Sequence, residues 1–529
     1  MPAFAASRGG NTRPSSYTAY VAFPSAPVPE SNALPNKLPR LYLALALSIS
    51  FAAYTPLLNS YFCGFDDFTE LKKAAFDDAL EPAKMLTTSH FGSPKYRPFN
   101  RLWNWSTYQL GGGSPWLHRW RNVLWHLIGV VAVIRLAQLA GQSALGAALA
   151  GTAFGIHPLA HQSVAAASWS NSAAYACALW SWFFLASSWH CLKPVRRIAA
   201  GALFLFLALF TYEATLVILG PLVLDLCFRR LRHETPMAGW AALLRPWSAA
   251  VGLVLICFVL ARYLFAVGSM PISSPLTIAK NSALYLGSLL MPLDLVLLNG
   301  CCGFPLPSQI VSRPEALLLL GAVCLLFLIA VALLWRRFPR GSHLAVNLHS
   351  WWWLLGIPMA LSPFLLNTDH ASETYLYLPV ALWCLWLAGS LEHWLRSRAA
   401  LAIAAFLLLP AFLASVHRSQ RVQACADTAQ SILANLPVGQ WKTSDPLIFL
   451  RHEHFPPPPR FGLYSFSGLG TIDAQVDGIP AIQAALQVAS GNIHLRAKAL
   501  DPDSFEQACQ QPRAQCFLIS AKGQVTPSR

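Results

Sequence analysis

The stretch "LYLALALSISFAAYTPLLNS" (41–60), followed at once by "YFCGFDD" (61–67), decides the fold. Its twenty residues include no Asp, Glu, Lys, Arg or His. About 20 apolar residues is what an α-helix needs to cross the hydrocarbon core of a bilayer. The carboxylates of Asp66 and Asp67 then fall just beyond the membrane edge. Similar apolar runs recur along most of the 529 residues, of which 55% are hydrophobic and only 12% charged. Soluble chains carry about 25% charged residues, so a soluble globular protein is excluded. The expected fold class is an all-α polytopic membrane protein.

Upstream, residues 1–40 are polar and rich in Pro and Ser, and read as a disordered cytoplasmic N-terminus. No short apolar segment with a small-residue cleavage site precedes residue 41, so 41–60 reads as an uncleaved signal anchor. Further spans are expected at 117–140, 144–156, 169–190, 198–210, 214–228, 247–267, 316–335, 350–366, 375–395 and 399–416. The stretch 281–299, with Pro292 and Asp294, reads as re-entrant rather than crossing. That makes about eleven transmembrane helices.

The net charge of +15 is not the footprint of a nucleic-acid partner. Seventeen Lys and Arg fall in short segments between spans, against Glu30, Asp225, Glu234 and Glu392, and so account for +13 of it. Placing those segments in the cytoplasm satisfies the positive-inside rule. The outer face then receives the loop 63–116, the turns "HPLAHQS" (157–163), "TYE" (211–213) and "NTDHASE" (367–373), and the tail 417–529. In the tail, "RSQRVQACADTAQSILANL" (418–436) reads as an amphipathic helix continuing the last span. Strand-like "PLIFL" (446–450) and "QCFLIS" (515–520) flank helix-like "PAIQAALQVAS" (480–490), which makes a small C-terminal α/β extracytoplasmic domain. Cys509 and Cys516 would face an oxidising compartment there and can pair.

Ionisable groups near membrane depth are functional candidates. Asp66, Asp67, Glu213, Asp369 and Glu373 gather on the outer face with His157, His161, Lys95 and Arg97. Asp66 and Asp67 can equally be an acidic helix start, because "FTELKKAAFDDAL" (68–80) is helical in pattern. "KYRPFNRLWNW" (95–105), with Lys95, Tyr96 and Arg97, is basic and aromatic, as a phosphate site at an interface requires. His157 and His161 stand four apart, the spacing of a helical metal pair, but Pro158 favours an interfacial turn.

The order "FDD" (65–67), "YRPF" (96–99), "RNVLWHL" (121–127), "HPLAHQSVAAASWS" (157–170), "YEATLVILGPLVLDL" (212–226) and "SETYLYLP" (372–379) resembles multi-span glycosyltransferases of the GT-C class. The likeness is to mannosyltransferases that carry tetratricopeptide repeats and to their bacterial relatives, without the repeats. It covers 41–416 as a GT-C-like transmembrane domain. Where that group has Lys before the first glutamate and Arg after the second, this chain has Tyr212–Glu213 and Glu373–Thr374. The resemblance implies transfer of a sugar from a polyprenyl-phosphate-linked donor to a glycan, lipid or protein acceptor on the outer face of the membrane, in a bacterial inner membrane. It implies Asp66 or Asp67 as general base, Lys95 and Arg97 on the donor phosphate, and Tyr96, His157, His161, Glu213, Glu373 and Tyr375 in support. A divalent metal is compatible with such a site, and no ligand set for one is legible. The rival readings are a polysaccharide ligase or polymerase using a lipid-linked oligosaccharide, and a transporter or lipid flippase. A transporter places its acids mid-bilayer in related halves, whereas here they collect at one interface.

Overall fold

A computed structural model of the chain describes residues 39–63, 65–190, 194–231, 237–268, 273–290, 353–362, 364, 372–391, 398–442, 446–453, 481–520 and 524–528. The N-terminal segment up to residue 38, the expected span 316–335, residues 291–299 of the expected re-entrant stretch and Asp369 lie outside the described residues, whereas 281–290 belongs to the helix Pro275–Leu290. Among those described, five helices are long and apolar enough to cross a membrane: Arg40–Leu58, Pro115–Leu139, Pro194–Thr211, Leu244–Phe265 and Glu373–Leu391. The chain is therefore a multi-pass, mostly helical membrane protein with a small C-terminal sheet.

Two expected spans take a different form. Ala144–Gly155 has 12 residues and is about 18 Å long, short of the roughly 30 Å hydrocarbon core. Its glycines explain its place. A Cβ at Gly155 would lie 2.0 Å from Ser50 Oγ, and one at Gly151 would lie 2.3 Å from Ile134 Cγ1. These small residues let the helix sit directly against Arg40–Leu58 and Pro115–Leu139. The stretch expected as a span at 214–228 opens as a 3-10 segment, Glu213–Ile218, before Leu219–Leu231 turns α-helical. Thr215 explains the tight start, since both its N–H (3.0 Å) and its hydroxyl (2.8 Å) donate to the Tyr212 carbonyl.

The helix Arg398–Asn435 runs 38 residues with Pro410 inside it, carrying the last apolar stretch directly into the C-terminal domain. Arg418 and its neighbour Ser419, then Val422, Ala426, Ala429 and Ile432 at intervals of three and four, are fully buried. Beyond it, strands β1 (Leu447–His452), β2 (Arg496–Ala499), β3 (Ala514–Ile519) and β4 (Val525–Pro527) form a sheet in the order β2-β1-β3-β4. β1 pairs parallel with β2 and β3, while β4 returns antiparallel to β3. Parallel neighbours need crossovers, supplied by helices Ala481–Ser490 and Pro502–Cys509. Asp501 caps the second of these, accepting from Ser504 N–H at 2.9 Å. Cys509 and Cys516 form a disulfide.

The sheet's core does not close on itself. Phe62, Phe68 and Leu71, from the first loop after the Arg40–Leu58 helix, are buried in one cluster with Ile448, Leu450, Ile482, Leu486 and Phe517. The C-terminal domain is thus docked on the short helix Phe65–Lys72 that carries both acids.

Candidate active site

Helix Phe65–Lys72 begins with two carboxylates in its first turn, where the helix dipole favours negative charge. Asp67 is completely buried. Its Oδ1 accepts from Ser168 N–H at 2.9 Å and its Oδ2 from Cys63 N–H at 3.3 Å, tying the helix start to two other segments. Asp66 remains partly exposed, and its Oδ2 accepts from the Trp169 indole N–H at 3.1 Å. Burial, with the nearby carboxylates of Glu70 and Asp67, pushes the Asp66 carboxyl up to about 6, against the pull of Lys95 and the indole. The structure therefore separates two acids that are adjacent in sequence.

One turn on, Glu70 is buried. It meets His90 Nε2 at 2.8 Å and the Asn104 amide at 3.2 Å, with the Asn100 amide at 3.5 Å. Burial alone would raise its carboxyl; His90, Arg97 and Lys73 outweigh that and hold it below the usual range.

Opposite the helix, residues 95–97 supply cations. The Arg97 guanidinium grips Glu213 through Nε and Nη2, both at 2.6 Å, and lies over the Tyr212 ring at 4.5 Å. Burial would lift the Glu213 carboxyl, but Arg97 overrides it and holds it near 2. Arg97 Nη1 has no hydrogen-bond partner among the described residues. Lys95 is exposed. Arg97 beside it, with desolvation, lowers its ammonium, while Glu213, Asp66 and Glu70 pull the other way. Asp66, Glu70, Lys95, Arg97 and Glu213 consequently form one mixed-charge group. Tyr375 is half-buried and stacks on Phe364 at 4.3 Å.

The other expected residues stand apart. Tyr96 is buried against Phe210 and Phe265, with its hydroxyl donated to the Leu86 carbonyl at 2.6 Å. His157 accepts from Leu159 N–H through Nδ1 at 3.2 Å, capping its own turn. His161, fully buried, stacks on Tyr54 and meets Ser419 Oγ at 2.9 Å. The two histidines thus serve a turn and a packing contact. Glu373 is fully buried in a two-armed ion pair with Arg418, whose Nη1 also donates to the Pro158 carbonyl at 2.7 Å. Among the described residues no three His, Cys, Asp or Glu side chains converge to hold a metal ion.

Trp169, Glu70, His90 and Arg418 escaped the sequence reading. Glu70 carried a signal, standing four residues after Asp66 on the same helix face. Trp169 lies inside the quoted stretch 157–170, but nothing local marks its pairing with Asp66, 103 residues away.

No protein-family model and no curated protein matches the chain. Among solved structures, the oligosaccharyltransferase of Archaeoglobus fulgidus in complex with zinc and sulfate aligns at 13% identity and TM-score 0.48, covering 90% of this chain and 67% of that one. The archaeal oligosaccharyltransferase AglB from Archaeoglobus fulgidus, in complex with an inhibitory peptide and a dolichol-phosphate, aligns at 10% identity and TM-score 0.47, over 91% and 69%. ArnT from Cupriavidus metallidurans bound to undecaprenyl phosphate aligns at 17% identity and TM-score 0.37, over 90% and 92%. TM-scores below 0.5 assign neither a fold family nor an activity, and the resemblance to the repeat-bearing mannosyltransferases rests on its motifs alone.

Proposed function

We propose that the chain is a GT-C-type glycosyltransferase that moves a sugar from a polyprenyl-phosphate-linked donor to an acceptor at the outer membrane face. The observation that carries this reading is the juxtaposition of a partly exposed carboxylate, Asp66, with a cationic edge made by Lys95 and Arg97. In the reaction, Asp66 takes the proton of the acceptor hydroxyl as its oxygen bonds to the anomeric carbon. The bond from that carbon to the carrier's phosphate oxygen breaks, and the phosphate leaves with the electron pair. A phosphate leaving group needs no strong general acid; Lys95 and the free Nη1 edge of Arg97 take up its charge. A carboxyl poised near 6 is ionised at neutral pH and remains basic enough to accept a proton.

Charge and packing support an orientation. The inner face collects the basic segments. The disulfide-bearing domain and the Asp66 helix share one hydrophobic cluster and hence one side of the membrane. A disulfide there supports reading that side as the oxidising, outer one. Residues 41–416 then form the transferase body in the bacterial inner membrane, with a cytoplasmic N-terminus, and 417–529 the periplasmic domain.

The test is transfer by the purified chain in lipid nanodiscs from undecaprenyl-phosphate mannose, glucose and galactose, beside a glycan mass profile of a deletion strain. A sugar lost from the strain's envelope and transferred in vitro by the wild type, but not by Asp66→Asn, is the expected result. An unchanged glycan profile together with inert donors would reject the reading.

A further inference from the structure

The segment 165–170, the end of helix His161–Ala165 followed by irregular backbone, runs beside the first turn of the Phe65–Lys72 helix, and side chains from three other elements hold it. The Ala165 carbonyl accepts from Arg119, the Ala166 carbonyl from Asn122 Nδ2 at 2.6 Å, and the Ala167 carbonyl from Arg121 Nη2 at 3.0 Å. Ser168 N–H donates to Asp67 at 2.9 Å, and Ser170 N–H to Asn100 Oδ1 at 3.2 Å. Arg119, Asn122, Asp67 and Asn100 are all at most 5% exposed. A backbone satisfied at consecutive residues by buried side chains is rigid. Trp169 projects from its centre and spends its one polar atom on Asp66.

We propose that Trp169 is a positioning residue for sugar transfer: its indole N–H holds Asp66 by Oδ2, leaving Oδ1 as the oxygen that meets the acceptor hydroxyl. This rests on the reading of Asp66 as the base. Oδ1 has no hydrogen-bond partner among the described residues, whereas both oxygens of Asp67 are engaged. The charged groups facing Asp66 are Asp67 and Glu70 on its own helix and Lys95 across from it; the 165–170 segment contributes the uncharged indole. A rigid donor on one oxygen fixes the carboxylate plane without consuming the second oxygen. That is what a base needs if its proton acceptor is to arrive in one orientation.

The indole bond favours the ionised carboxylate, so its loss should make Asp66 easier to protonate. The test uses the full chain in nanodiscs, with Trp169→Phe and with benzothienylalanine at 169, which keeps the ring's shape but has no N–H. Dicyclohexylcarbodiimide, which attacks protonated carboxyls, is titrated against pH, and Asp66 labelling is read by mass spectrometry. Both variants should raise the labelling midpoint by about one pH unit, as expected for one lost charge-assisted bond. The acid limb of kcat for the undecaprenyl-phosphate hexose that supports transfer should move by the same amount, giving about a fivefold loss near pH 6 with donor KM unchanged. If Trp169→Phe fails to fold, the benzothienyl protein decides. An unmoved midpoint in that protein, with Asp66→Asn inactive, overturns the role of Trp169 and leaves the base intact. Full transfer by Asp66→Asn removes the base and Trp169's role with it.

Discussion

Asp67 accepts from two backbone N–H groups in a dry site, whereas Asp66 accepts from one indole and keeps an oxygen open. Opposite stability effects follow from the same substitution. The Asp66 carboxyl is raised to about 6, above its ordinary range, so its favourable contribution is complete only in acid and is lost as pH rises through about 6. At pH 7 its charge therefore destabilises the fold, and Asp66→Asn should stabilise by about 1–3 kcal/mol while lowering transfer about 10²–10⁴-fold. Asp67→Asn removes an anionic acceptor from two buried donors and should destabilise by about 1–3 kcal/mol. Thermal unfolding of both variants at pH 4 and pH 8 checks the signs, and the gain from Asp66→Asn should fall to about half by pH 5 and vanish only below about pH 4. Arg97 is tested similarly. Arg97→Ala strands the partly buried Glu213 carboxylate and should cost about 2 kcal/mol. Adding Glu213→Gln should restore thermal stability but not donor KM, because only the phosphate contact then remains missing. Recovery of donor KM in the double variant would make Arg97 purely structural.

At the scale of elements, periodicity made much of this molecule legible. The merger of an apolar run with the amphipathic pattern 418–436 foretold the continuous Arg398–Asn435 helix. The β-branched and aromatic runs at 446–450 and 515–520 foretold β1 and β3. What stayed hidden depends on partners distant in sequence. Glu213 and Glu373 lack the basic neighbour that the resembling group carries beside each, and their counter-charges come instead from Arg97 and Arg418. No local pattern encodes a pairing across 116 or 45 residues. The Arg418–Glu373 pair lashes the long helix to the turn preceding Tyr377–Leu391. With both side chains fully buried, removing one partner is far worse than removing both. Arg418→Ala should destabilise by about 3–5 kcal/mol, and Arg418→Met with Glu373→Gln by much less. A double-mutant cycle on thermal unfolding measures the coupling, and additive losses would show that the pair does not act as a unit.

For the whole molecule, hydropathy could reveal a membrane body and a soluble tail, but not that the tail's core is completed by the loop carrying the acids. Phe62, Phe68 and Leu71 sit in a sequence that reads simply as a helix start, and their burial is decided by a domain more than 350 residues away. That packing makes orientation a single question, because the Asp66 helix and the disulfide stand or fall on the same side. In intact spheroplasts, a membrane-impermeant maleimide should label Cys509 and Cys516 only after reduction, and should do so without permeabilising the membrane. The chain's other cysteines are controlled by a Cys509→Ser/Cys516→Ser variant. Phe68→Asp adds a charge to the shared core and should make the C-terminal domain sensitive to external protease while lowering transfer. The physical reason is that the helix holding Asp66 would lose the face that fixes it. Labelling that requires permeabilisation would put the Asp66 helix and the C-terminal domain together in the cytoplasm, where a carrier-linked sugar on the outer face could reach neither.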